Sequence, residues 1–163
     1  MQNRTLMSLV VMLLAAMTLS VPAAMAAGGG GSEPIWSTAP EDPDYAAGKQ
    51  AVEAMNWQAA LDAFNKVVAK DPRNANAQNY LGYTYRKSGN MDLAFKHYDE
   101  ALRLDPRHRG AHEYVGEAYL MTGNLAKAEE HLQALDRLCF FPCEEYSELK
   151  KAVADYKQKT ASN

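Results

Sequence analysis

Basic residues are in short supply: 17 Lys and Arg stand against 20 Asp and Glu in 163 residues, a net charge of −3. With no basic surplus and no basic cluster, the electrostatic footprint of a nucleic-acid or anionic-membrane binder is missing. Glycine clusters only at Gly28 to Gly31, which follows no strand and directly precedes no helix, so no phosphate-cradling loop is indicated. Carboxylate pairs such as Glu129-Glu130 and Glu144-Glu145 are adjacent in sequence and diverge around a helix, so no acid–base pair is indicated either. Cysteine is almost absent. The two that exist, Cys139 and Cys143, flank Phe-Phe-Pro in "LCFFPCEEY".

Among these scarcities one long apolar run stands out. Arg4 is followed by apolar residues from Leu6 to Val21, then Pro22 and "AAMA", the layout of a secretory signal peptide with its cut after Ala26. Ser8, Thr18 and Ser20 interrupt the run, which is shorter than the roughly 20 residues a membrane span needs. No cysteine follows it to carry a lipid. The expected product is an exported, periplasmic chain of residues 27–163 with 16 basic and 20 acidic side chains and no stable membrane insertion. Residues 27–42 read as a flexible tether, with Trp36 its one bulky residue, packed loosely on the first helix or solvated.

From Tyr45 onward the chain copies itself with a period of 34: Gly48, Gly82 and Gly116; Ala60, Ala94 and Ala128; Phe64, Tyr98 and Leu132; Ala51, Tyr85 and Tyr119. "DPR" recurs at 71–73 and 105–107. Apolar positions inside each copy follow a spacing of three and four, as in Leu93, Ala94, His97, Tyr98, Ala101 and Leu102, so each copy forms two amphipathic helices. Gly89 in "KSGN" and Gly123 in "MTGN" end first helices, and Asn56 is the expected substitute in the first copy. Pro72 and Pro106 stop second helices by driving Asp71 and Asp105 out of helical geometry. Gly82 and Gly116 cost helix stability, and close approach of the helices bearing Ala94 and Ala128 is the expected offset.

This pattern resembles the tetratricopeptide repeat family, whose Gly, Tyr, Ala, Phe and Pro fall at matching offsets over roughly residues 41–142. The resemblance implies an all-α solenoid of three antiparallel helix pairs, with repeats at about 41–74, 75–108 and 109–142. Tyr146, Leu149, Val153 and Tyr156 mark one face of a further helix, about 143–159, that covers the open end of the stack. The domain then spans residues 43–159.

It further implies a non-catalytic adaptor or scaffold of a bacterial envelope that binds a protein or peptide in a concave groove, without a cofactor. Carrying the family's groove positions over gives Tyr45, Lys49 and Val52, then Asn79, Tyr83 and Arg86, then Glu113, Glu117 and Leu120. Tyr83 and Arg86 are the expected anchors, by residue type. One subfamily clamps carboxylate tails with lysine, asparagine and arginine. Here those positions hold Tyr45 and Lys49, Tyr80, and Gly110 and Tyr114, so the clamp is absent.

Cys139 and Cys143 fall where the last repeat helix ends and the capping helix starts. In an oxidising compartment a structural disulfide is the default, with free or reactive thiols and a metal as alternatives. Three intervening residues do not match a thioredoxin-like pair, Glu144 stands where haem attachment needs histidine, and zinc would need two more ligands. "HRGAH" at 108–112 lacks the glutamate of a zinc peptidase, and His97 and His131 share one repeat position, which suits helix-surface residues. Two other functions stay open: an envelope thiol–disulfide partner in which Cys139 and Cys143 cycle, and a self-assembling scaffold, a homo-oligomer.

Overall fold

The structure, a computed structural model, describes residues 41–162. The expected signal peptide, its cut after Ala26 and the role of Trp36 lie outside the described residues. Seven helices follow one another: α1 (Pro43–Glu53), α2 (Trp57–Lys70), α3 (Ala75–Lys87), α4 (Met91–Leu104), α5 (Arg109–Met121), α6 (Leu125–Leu138) and α7 (Glu144–Ala161). They form three antiparallel pairs plus a cap, as the period predicts. No helix among the described residues is long and apolar enough to cross a membrane.

Helix starts repeat as faithfully as the cores. Asn56, Asn90 and Asn124 accept the N–H of the third helical residue of α2, α4 and α6 at 3.2, 3.2 and 3.1 Å. Asn74 and His108 do the same for α3 and α5. Such caps each contribute about 1 kcal/mol. Asp42, which the sequence pattern leaves in the tether, caps α1 by accepting from Asp44 and Tyr45. Asp71 and Asp105 end α2 and α4 in extended conformation, as expected ahead of proline. Cys139 ends α6 in the same conformation without a proline behind it.

One expected turn residue is corrected. Gly89 and Gly123 have φ of 84° and 80°, but the equivalent residue of the first pair is Met55, with φ 54°. Asn56 stands one residue later and is the cap of α2, in register with Asn90 and Asn124. The first turn therefore holds a non-glycine residue in left-handed conformation, which costs roughly 1–2 kcal/mol.

The helix glycines also have a different partner from the one expected. Ala94 and Ala128 are fully buried, yet what faces the glycines are larger groups. A Cβ on Gly48 would come within 2.6 Å of the Phe64 ring, and one on Gly82 within 2.5 Å of the Tyr98 ring. The glycines are holes into which second-helix aromatics fit. By the period Leu132 should fill the hole at Gly116, but the neighbour there is Leu149 of α7, at 2.6 Å. Leucine at 132 is smaller than Phe64 or Tyr98, and the cap supplies the missing bulk.

The core accordingly runs through the stack in three linked clusters, around Phe64 and Leu81, around Tyr98 and Val115, and around Leu135 and Leu149. Tyr146, Val153 and Tyr156 of α7 join the last of these, as their spacing predicts. Helix α7 packs on α5 and α6, the place a fourth first-helix would take. Between α6 and α7 the Cys139 and Cys143 sulfurs are bonded, 2.02 Å apart, with Cα atoms 5.8 Å apart. Phe140 and Phe141, inside that short loop, are exposed.

Candidate partner-binding face

Tyr45 of α1 meets Tyr80 of α3, α3 packs on α5, and α5 on α7, so these helices share one face of the stack. A run of tyrosines floors this face. Tyr45 meets Tyr80 edge-on at 5.7 Å, Tyr80 stacks on Phe64 at 4.8 Å, and Tyr83 lies 5.0 Å from Tyr114. Trp57, at the start of α2, meets Tyr83 at 6.4 Å. Tyr45, Tyr80, Tyr83 and Tyr114 are all half-buried, a state that leaves ring area for a partner while fixing each ring at low entropic cost.

Of the nine groove residues expected from the resemblance, Tyr45, Lys49, Val52, Tyr83, Glu113 and Glu117 keep exposed surface. Lys49 pairs with Glu41 at 2.7 Å. Val52 packs against the Phe64 cluster. Asn79 and Leu120 are buried, Leu120 in the cluster beneath α7.

Arg86, expected as an anchor, is instead an internal strut. Its side chain is 5 % exposed and donates to Glu117 at 2.7 Å, to the Tyr98 hydroxyl at 3.2 Å and to the Met121 sulfur at 3.7 Å. Its guanidinium also lies 5.3 Å from the Tyr83 ring centre and 5.7 Å from that of Tyr114. Three helices are tied by one side chain, which leaves little of it for a ligand. Exposed Lys87, 5.4 Å over Tyr83, is the accessible cation beside that ring.

Where α3, α5 and α7 meet, the face deepens into a cavity of about 350 Å3 lined by Tyr45, Asn76, Asn79, Tyr80, His108, Gly110, Glu113, Tyr114, Glu144 and Glu145. Tyr45, Tyr80, Gly110 and Tyr114, four of the five positions at which the carboxylate clamp is absent, are here, while the fifth, Lys49, does not line the cavity. Glu113 is pushed up to about 8, first by burial and then by Glu117, Glu145 and Glu148, with Arg86 acting the other way. Burial holds His108 below its ordinary range.

Away from this face, the histidines of the pairs contact one another across helices. His97 Nδ1 bonds Gln78 Oε1 at 2.7 Å, and His112 Nδ1 bonds His131 Nδ1 at 2.9 Å. Gln78 and His112 share one repeat position, as His97 and His131 do, so these are two copies of one cross-helix bond between buried or half-buried side chains. His112 Nε2 donates to the Pro106 carbonyl at 3.1 Å, which leaves its Nδ1 to accept from His131. Burial lowers all of these imidazoles, His131 to about 4.

Sequence reasoning passed over Asn76, His108, Glu144 and Glu145 as groove residues. Asn76 and Gly110 share a repeat position, as do Asn79 and Glu113, so the period alone points to the α3–α5 wall. Nothing in the period points to the α7 wall.

Two family models described as tetratricopeptide repeat match the chain, at residues 45–108 and 85–152. No curated protein matches. Among solved structures, the type III secretion translocator chaperone SycD of Yersinia enterocolitica superposes with a TM-score of 0.64 at 21 % identity, covering 72 % of this chain and 83 % of that one. PcrH, in complex with the chaperone-binding region of PopD, gives 0.61 at 22 %, covering 73 % and 90 %. The first repeat domain of Spaghetti (RPAP3), bound to the HSP90 peptide SRMEEVD, gives 0.62 at 19 %, covering 72 % and 90 %.

Proposed function

The chain belongs to the tetratricopeptide repeat family, and from that premise we propose that it is a non-catalytic adaptor of the bacterial periplasm that holds a partner protein against the face formed by α1, α3, α5 and α7. The observation that carries this reading is the half-buried tyrosine floor, Tyr45, Tyr80, Tyr83 and Tyr114, fixed from below by Phe64 and Arg86 and open above. Several proteins of similar fold hold peptides of other proteins, among them SycD with a peptide of YopD and PcrH with a region of PopD. Export rests on the N-terminal pattern of Arg4, the apolar run and "AAMA". Within this reading Cys139 and Cys143 form a structural staple that fixes where α7 leaves α6, which an oxidising compartment would keep closed.

The test is crosslinking in the intact cell envelope, comparing the unaltered chain with a Tyr83→Ala, Lys87→Ala variant. Both side chains are accessible, so their removal should spare the fold, as Arg86→Ala would not. A specific protein lost from the variant's crosslinks supports the face; an unchanged set refutes it. N-terminal sequencing of the same material should begin at Ala27, and a chain beginning at Met1 would overturn the export reading.

A further inference from the structure

In the wall of the cavity between α3, α5 and α7 two polar atoms have been left without a partner. Asn79 Oδ1 and His108 Nε2 are shut off from solvent and receive or donate no hydrogen bond, and Asn79 as a whole is only 5 % exposed. An unmade bond of this kind costs about 1–3 kcal/mol per group, so each calls for an explanation. The two atoms differ in kind. Asn79 Oδ1 can only accept. His108 Nδ1 already accepts the Ala111 N–H at 3.1 Å, so the neutral ring carries its proton on Nε2, a donor. Gly110 lies beside both residues: a Cβ there would stand 3.4 Å from Asn79 Nδ2 and 3.6 Å from His108 Cε1.

The surrounding wall has one charge sign. Glu113, Glu144 and Glu145 line the cavity with the rings of Tyr45, Tyr80 and Tyr114, and no Lys or Arg lines it. Arg86 of α3 is committed to Glu117 at 2.7 Å, and Arg109 of α5 pairs with Glu145 of the wall at 3.5 Å, which leaves Glu113 and Glu144 without a paired cation among the described residues. A carboxylate ligand would find no free cation here, and an apolar one would leave Asn79 Oδ1 unpaired. Tyrosine faces and carboxylates together favour a cation.

We infer that this cavity is the subsite for a lysine or arginine side chain of the bound polypeptide, its cationic head donating to the Glu113 carboxylate and, with the Asn79 amide turned toward it, to Asn79 Oδ1. This rests on the groove-binding reading above and names what that face selects. Residues 27–40 contain no Lys or Arg, so the chain's own tether does not supply the cation.

Ionisation of Glu113 is then part of binding. Its pKa of about 8 in the empty cavity comes from burial and from Glu117 of α5 and Glu145 and Glu148 of α7, opposed by Arg86 of α3. His108, at the start of α5, is held neutral by burial. An entering cation favours the carboxylate, so binding releases a proton, and affinity should rise with pH up to about 8, at most about tenfold per unit.

The experiment is an NMR titration of the protein as isolated from expressing cells with three blocked tripeptides, acetyl-Gly-X-Gly-amide, where X is lysine, its neutral isostere norleucine, or glutamate. The lysine peptide should saturably shift the Asn79 side-chain amide and the His108 ring, with norleucine at least tenfold weaker and glutamate weaker still. Glu113→Gln should weaken the lysine peptide severalfold at pH 8 and flatten the pH dependence while the chain stays folded by thermal denaturation. Equal affinity for norleucine, tighter binding of glutamate, or no shift at Asn79 and His108 with millimolar lysine peptide would each overturn the subsite. If the subsite fails while Tyr83→Ala, Lys87→Ala still loses its crosslinked partner, the groove reading stands without it; if that variant loses nothing, the groove reading itself has failed.

Discussion

Adding one methyl group at Gly82 sets helix propensity against packing, and the structure decides which wins. Alanine is better than glycine inside a helix by about 0.8–1 kcal/mol. Its Cβ, however, would stand 2.5 Å and 2.6 Å from two carbons of the Tyr98 ring. That ring is fully buried, and its hydroxyl accepts from Arg86, which is in turn held by Glu117. The ring has no free direction of retreat, so the overpacking cost of about 1–3 kcal/mol applies in its upper part. Gly82→Ala should destabilise by about 1–2 kcal/mol net, a fall in Tm of roughly 3–8 °C for a domain of this size. The decisive measurement is the same substitution in a Tyr98→Ala background, followed by calorimetry or urea denaturation. With the ring gone only the propensity gain remains, and Gly82→Ala should then stabilise. Gly110→Ala is the control, since its Cβ would meet nothing closer than 3.4 Å, and it should not destabilise. Equal destabilisation by Gly82→Ala in both backgrounds would refute the claim that this glycine exists to admit the Tyr98 ring.

Met55→Gly should stabilise by about 1 kcal/mol, because the left-handed turn at φ 54° is strained for methionine and its side chain is largely exposed; a lower urea midpoint would contradict this. Burial depresses His97, His108, His112 and His131, the last to about 4, so each stays neutral in the fold while charging in the unfolded chain near 6.5. Stability from these groups is complete above about pH 7 and is lost as pH falls toward 4. His112→Gln, which copies the Gln78–His97 bond into the third pair, should keep the fold and reduce that loss, read from urea midpoints between those limits. Closing the five-residue loop between Cys139 and Cys143 should contribute about 2 kcal/mol on the chain-entropy account, so Cys143→Ser should lower Tm by several degrees. An unchanged Tm would mean that α7 docks without the staple.

The 34-residue period carried the fold because the same few positions bury the same kinds of side chain in every copy. The first turn was assigned to Asn56 against the period: shifting Gly89 back by one repeat lands on Met55, where the structure puts the positive φ. Arg86 was misjudged for a different reason. Its repeat position faces the groove, but its partners Tyr98 and Glu117 lie on two other helices, and no periodicity reports a bond between unlike positions. Leu149 under Gly116 was hidden similarly, since it compensates a volume deficit at Leu132 from outside the repeats. The cysteine loop was placed by its position at the last helix boundary, whereas the cross-helix histidine bonds became visible only with α3 beside α4 and α5 beside α6.

Glu113 couples the stability of the empty fold to binding in the cavity. A carboxyl that ordinarily ionises near 4.5 but is held at about 8 in the fold disfavours folding over that whole interval, because the unfolded chain can release a proton that the folded one keeps. The penalty grows as pH rises from about 4.5 and is constant above about 8. Glu113→Gln removes it, and should therefore make the empty protein more stable at pH 8 than the unaltered chain, with little difference at pH 4. The same substitution is expected to weaken the lysine peptide. One residue that harms the empty fold and helps the loaded one is what a binding site produces and a merely structural position does not. If Glu113→Gln lowered stability at pH 8, the carboxyl would have to be engaged in a favourable internal bond, and both the cavity's acidity and its preference for a cation would need a different explanation.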